Sequence, residues 1–110
     1  MTKYEMGRRW EWKTRKHFEK LGYYVIRSAG SKGLADLIAL RMEVGNLDIN
    51  EKPTTRIEVC LIQCKAHKGK KPPELSMEQI KLKKLADWLG MGARAIWALK
   101  VGKKEDYIYL

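Results

Sequence analysis

Apolar and small side chains recur at steps of three and four near the start of the chain, at Trp10, Thr14, His17, Phe18 and Leu21, with Arg and Lys between them. That spacing predicts an amphipathic helix from Gly7 to Leu21, ended by Gly22. Tyr23 to Ser28 is rich in aromatic and β-branched residues and reads as a strand. The loop Ala29-Gly30-Ser31-Lys32-Gly33 follows, and a second strand is expected from Ala35 to about Arg41. Residues 43 to 55 collect turn formers and read as an exposed hairpin tip or loop. Arg56 to Ala66 is the strongest strand pattern, apolar on both faces near its middle, and so belongs at the centre of a sheet. Gly69, Pro72 and Pro73 break the regularity. A second helix then starts at Ser76, where Ser76-Met77-Glu78-Gln79 has the form of a capping box, and stops at Gly90. Ala93 to Val101 and Tyr107 to Leu110 close the chain as strands around a Gly102-to-Asp106 turn. The order α-β-β-β-α-β-β predicts an α/β fold with a central mixed sheet flanked by helices.

The length of 110 residues leaves room for one domain, spanning 1–110. With 45% hydrophobic and 33% charged residues the composition is that of a folded soluble protein, and no apolar run approaches the roughly 18 residues of a membrane span. The first residues, Met1-Thr2-Lys3-Tyr4-Glu5, lack the apolar core of a signal peptide, so an intracellular, membrane-free protein is expected. Cys60 and Cys64 fall in one predicted strand, which separates their Cα atoms by roughly 13 Å, too far for a disulfide. The formal charge of +10, from 23 Lys and Arg against 13 Asp and Glu, changes the picture more: it points to a polyanionic partner, with a merely well-solvated surface as the alternative.

Four positions stand out against this background. Glu11 lies at the margin of the inward helix face, Asp36 opens a strand directly after a glycine-containing loop, and Gln63 and Lys65 leave the same face of the central strand. Phosphodiester hydrolysis gives such a set a purpose, because a hard divalent cation needs oxygen ligands and attack on an anionic phosphate needs charge neutralisation. Asp36 would be the main ligand. The Gln63 side-chain oxygen, the Cys64 backbone carbonyl, and Glu11 directly or through water would complete the shell, with Lys65 orienting water or stabilising charge at phosphorus. Taken singly, each has a plainer reading: Glu11 as a surface carboxylate paired with Arg8 or Arg15, Asp36 as a turn cap, Lys65 as a strand-edge guard.

Glu11, the run Arg27-Ser-Ala-Gly-Ser-Lys32, Asp36 and Gln63-Cys64-Lys65 together resemble the PD-(D/E)xK nuclease superfamily, and closely its archaeal-type Holliday junction resolvase (Hjc-like) branch. The agreement is nearly continuous from Gly7 to Leu40 and looser beyond, where Ala95-Ile-Trp-Ala-Leu-Lys100 is similar to the family's late strand. The resemblance implies a restriction-endonuclease-like fold and a homodimer that uses Mg2+ or Mn2+ to nick four-way DNA junctions. It places Glu11, Asp36, Gln63 and Lys65 at metal and catalytic positions, Ser31 at an active-site loop serine, and Gln79 at a helix-borne accessory glutamine. The chain departs from the family at Gln63, where Glu is usual and one negative charge is therefore missing.

Arg8, Arg9, Lys13, Arg27 and Lys32, with Lys68, Lys70 and Lys71 in the loop after Lys65, form the expected DNA-binding surface. Trp10, Trp12, Trp88 and Trp97 read as core or dimer-interface residues. Three other functions stay open, the first a less selective nuclease for flaps or replication intermediates. A catalytically weak DNA-binding module would keep the fold and the charge, and an RNA-binding protein would use Tyr23, Tyr24, Tyr107 and Tyr109 as stacking platforms.

Overall fold

The computed structural model describes residues 2–28, 34–44, 55–90 and 92–110. Its elements are α1 (Lys3–Lys20), β1 (Tyr24–Arg27), β2 (Leu37–Val44), β3 (Thr55–His67), α2 (Met77–Leu89), β4 (Arg94–Val101) and β5 (Lys104–Tyr109). The expected order is present. The strands form one sheet in the order β1-β2-β3-β4-β5, with β3 in the middle. All neighbours are antiparallel except β3 and β4, which run parallel. Parallel neighbours need a long crossover, and α2 supplies it.

Strand alternation explains why helices lie on both faces. Ile62 and Cys60 of β3 turn to the face where Leu37, Ala39, Ile96 and Ala98 pack with Trp10 and Phe18 of α1. Leu61, one residue along, turns to the other face with Ala95 and with Leu82 and Ala86 of α2. Trp10 is 1% exposed, and its indole Nε1 donates to the Ala98 carbonyl at 2.9 Å, which ties α1 to β4. Tyr107 stacks on both Trp10 and His17 and carries the same contact to the edge strand β5.

Several boundaries differ from the sequence reading. The first helix begins at Lys3, four residues before Gly7, because Thr2 caps it: the Glu5 N–H donates to Thr2 Oγ1 at 3.1 Å. His17 and Leu21 are exposed, so the inward stripe reduces to Trp10, Thr14 and Phe18. Glu43, Val44 and Thr55, assigned to a loop, are in strands, with Val44 opposite Thr55; residues 45–54 lie outside the described part. The last turn is shorter than expected. Gly102, at φ +59°, and Lys103 join Val101 to Lys104 as a two-residue hairpin, and β5 starts three residues early. Its Lys-Glu-Asp opening looked like a turn, yet an edge strand accommodates charge readily. Trp12 and Trp88 are on the surface, whereas Trp10 and Trp97 are core. No helix among the described residues is long and apolar enough to cross a membrane.

Candidate active site

The sheet register creates an open edge. Pairing of β2 with β3 begins at Leu37 opposite Ile62, while β3 runs on to His67 with β4 on its other side. Just before β2, the Asp36 N–H donates to the Ile62 carbonyl at 2.8 Å, and the Asp36 Oδ2 accepts from the Cys64 N–H at 2.8 Å. Asp36 is therefore clamped by main chain at the point where β3 loses its neighbour. The Cys64 carbonyl leaves the strand on the same edge as its N–H, so it lies beside the carboxylate.

From the α1 side Glu11 reaches the same place. Arg27, the last residue of β1, donates its Nε to Glu11 Oε1 at 2.5 Å. Glu11 thus pairs with Arg27 rather than with Arg8 or Arg15, which bond to Tyr4 and Glu19. Glu11, Arg27, Asp36 and Cys64 line one cleft of about 310 Å³, rimmed by Lys3, Tyr4, Gly7, Arg8 and Ser28. A cleft of about 330 Å³ adjoins it and holds Lys65, His67 and Lys68, sharing Lys3, Gly7 and Cys64 with the first.

Burial raises the Asp36 carboxyl above its ordinary value, and the charges of Glu11 and Glu78 push the same way, against the Cys64 hydrogen bond and Arg27. A folded-state value above the unfolded one means that ionisation costs stability. The cost is absent below the unfolded carboxylate range and grows as pH rises through the folded value. Asp36→Asn is accordingly expected to raise the melting temperature near neutral pH in EDTA, with the gain fading toward about pH 3, as thermal melts across a pH series would report. Burial also pushes the Cys64 thiol up to about 12, so Cys64 contributes its main chain and not a thiolate.

Gln63 points elsewhere. Its side chain leaves β3 toward α2, where Gln79, only 4% exposed, donates its Nε2 to Gln63 Oε1. Gln79 is held in turn by Ser76, whose N–H and Oγ both donate to Gln79 Oε1, at 2.8 and 2.6 Å. The backbone N–H can only donate, so it fixes which end of each amide faces which partner. The Gln63 NH2 group is then left facing the Leu34 carbonyl at 3.5 Å and Glu78 Oε2 at 3.4 Å. The oxygen expected to ligate a cation is engaged with Gln79. Gln79 fills the capping-box position read from the sequence, and the other end of its amide reaches Gln63. Its replacement by Ala would leave two buried or half-buried partners unpaired and is expected to cost about 1–3 kcal/mol in denaturant unfolding.

The structure brings Glu11, Asp36, Cys64, Arg8 and Arg27 together and sets Lys65 and Lys68 in the adjoining cleft. Lys70 and Lys71 are exposed on the loop that follows. Lys13 instead pairs with Glu105 at 2.6 Å, and Arg9 is exposed on α1. Ser31 and Lys32 lie outside the described residues. Sequence reasoning missed Lys3 and Tyr4, which the early start of α1 brings to the cleft; the Thr2-x-x-Glu5 spacing was the signal. It also missed Glu78.

The donors suit a hard divalent cation. Asp36 and the Cys64 carbonyl present oxygen on one edge, and Glu11 lines the same cleft. Among the described residues no three His, Cys, Asp or Glu side chains form a closed cage. A magnesium-type ion does not require one, since it is held by one or two carboxylates and keeps several waters.

No protein-family model matches the chain, and no curated protein matches it in sequence. A solved structure does: that of Hjc, a Holliday junction resolvase from the hyperthermophilic archaeon Archaeoglobus fulgidus, is similar with a TM-score of 0.61 and 27% sequence identity, over 94% of this chain and 70% of that one. The five-stranded mixed sheet with its two helices is a restriction-endonuclease-like fold, as in that protein.

Proposed function

We propose that the chain is a metal-dependent, structure-selective DNA endonuclease that resolves four-way junctions by paired hydrolytic nicks and acts as a homodimer. The observation that carries this reading is the Asp36 carboxylate, clamped by main chain beside the open edge of β3 in a fold shared with a resolvase. A Mg2+ or Mn2+ ion bound there would neutralise phosphate charge and lower the barrier to attack by water. Asp36 and the Cys64 carbonyl would hold it. Glu11, kept in place by Arg27, would orient a water at the same cleft, and Lys65 would offset negative charge developing at phosphorus. Arg8 and Lys3 at the rim, with Lys68, Lys70 and Lys71 on the loop after β3, would follow the phosphate backbone on either side.

Two cuts on opposed strands need two such sites. Exposed Leu75, Met77, Ile80 and Trp88 along α2 offer apolar surface that a second copy could cover.

The binding-module alternative draws support from the uncharged Gln63, whose oxygen is already engaged. The RNA-binding alternative loses ground: Tyr23 is tied to Glu58 at 2.7 Å and Tyr107 is stacked between Trp10 and His17, which leaves only Tyr24 and Tyr109 exposed of the four proposed platforms.

Cleavage separates these functions, and binding does not. The protein should be incubated with labelled four-way junction and with linear duplex of the same sequence, in Mn2+ or EDTA. Junction-specific nicking that EDTA abolishes supports the proposal, and tight junction binding without cleavage in any metal leaves a binding protein on this fold. For the basic loop, Lys68→Ala, Lys70→Ala and Lys71→Ala combined should flatten the dependence of log K on log salt by about 2–3, since each lost phosphate contact removes about 0.9. An unchanged slope in a salt titration would take the loop out of the interface.

A further inference from the structure

Charge at the candidate site is distributed in a way the sequence pattern does not anticipate. Gln63 brings no charge to the edge, and Glu11 is paired with Arg27. That leaves Asp36 as one negative charge at the edge where a divalent cation would sit. Glu78 stands at the second position of α2, after the Ser76 cap, and approaches the site from the opposite face to Glu11. Its Oε2 is 3.4 Å from the Gln63 Nε2. By the register that sets Leu37 opposite Ile62, the next pair outward is Asp36 and Gln63, so Glu78 lies one side chain away from Asp36. In a chain with a formal charge of +10, Glu78 nevertheless has no Lys or Arg partner among the described residues.

We propose that Glu78 is the second carboxylate of the cation site, supplying from α2 the negative charge that Gln63 does not, and that Gln63 holds it there through its amide N–H. The chain Ser76–Gln79–Gln63–Glu78 is the structural reason. The Ser76 N–H orients Gln79, Gln79 takes the Gln63 oxygen, and the Gln63 NH2 is thereby turned toward the Glu78 carboxylate. A glutamate at position 63 would face the same Gln79 donor and repel Glu78. The glutamine and the helix carboxylate are therefore complementary, and two carboxylates with water are what a magnesium-type ion asks for. The inference rests on the metal-dependent reading above.

Binding of Mn2+ to the full chain without DNA, followed by calorimetry and by the EPR signal of free Mn2+, tests it apart from activity. Wild type, Asp36→Asn, Glu78→Gln and, as a control on the same helix, Asp87→Asn would be compared, with circular dichroism confirming each fold. Glu78→Gln should weaken binding about 10- to 100-fold, approaching Asp36→Asn, while Asp87→Asn stays at wild type. Adding Gln63→Glu to Glu78→Gln should recover affinity, because charge is restored from the strand. If Glu78→Gln binds like wild type while Asp36→Asn does not bind, the assignment of Glu78 is overturned and the metal-dependent reading stands. A double variant that stays as weak as Glu78→Gln would trace the loss to broken hydrogen bonding and overturn the assignment too. If wild type takes up no Mn2+, or Asp36→Asn binds equally well, the metal-dependent reading itself fails and Glu78 falls with it.

Discussion

Asp36→Asn is expected to leave a folded chain that binds junction DNA and cuts it more slowly by about three orders of magnitude. The substitution keeps an oxygen that can accept from the Cys64 N–H, so the 2.8 Å clamp to β3 survives and the site keeps its shape. What it removes is the charge. Among the described residues Asp36 is the one acid fixed by main chain on the open edge, and Glu11 on the α1 side is committed to Arg27. DNA affinity should be unchanged or slightly higher, because a carboxylate repels phosphate. Single-turnover cleavage of labelled junction, set beside gel-shift affinities, reads both quantities from one preparation. Loss of binding together with cleavage would show that Asp36 acts through the fold. Retained cleavage would take it out of the chemistry.

Trp10→Ala is expected to produce the largest loss of stability, about 3–5 kcal/mol, from the transfer of a buried indole and the cavity left behind. Trp10 is 1% exposed, packs with Phe18, Leu37 and Ile96, and stacks on Tyr107. Its Nε1 bond to the Ala98 carbonyl, which ties α1 to β4, would also go. Domains of this size have about 5–15 kcal/mol in all, so the variant should be close to unfolding at 37 °C. Trp10→Phe keeps most of the buried area and should cost clearly less. Urea unfolding followed by circular dichroism measures both. The consequence reaches the site, because α1 presents Glu11 one residue beyond Trp10, and a helix loosened from β4 no longer holds Glu11 against Arg27. A small change in the urea midpoint for Trp10→Ala would mean that α1 is attached by other contacts.

Much of the fold was legible because burial imposes period. The run that is apolar on both faces within Arg56 to Ala66 placed β3 at the centre, and three- and four-residue steps gave both helices. Boundaries were less legible where local signals conflicted with pairing. Lys104, Glu105 and Asp106 looked like turn residues, but each pairs across to β4, and Glu105 takes up Lys13 and Lys100. For the candidate site, the sequence singled out Asp36 and Gln63-Cys64-Lys65, and the structure sets Asp36 against β3 at Cys64. The sequence could not show that Gln63 turns its oxygen to Gln79, or that Arg27 rather than Arg8 or Arg15 meets Glu11, since both depend on contacts between elements far apart in sequence. Glu78 was hidden for the same reason. It sits in a helix cap motif that explained its neighbours without reference to β3.

Resolution of a junction is defined by where its strands are cut. A four-way junction with each strand labelled in turn, incubated with the protein in Mg2+ and resolved on a denaturing gel, should give single nicks at symmetric positions on two opposed strands, none in EDTA, and none in the matched linear duplex. Uncut strands in Mg2+ and Mn2+ alike, or equal cutting of junction and duplex, would contradict it.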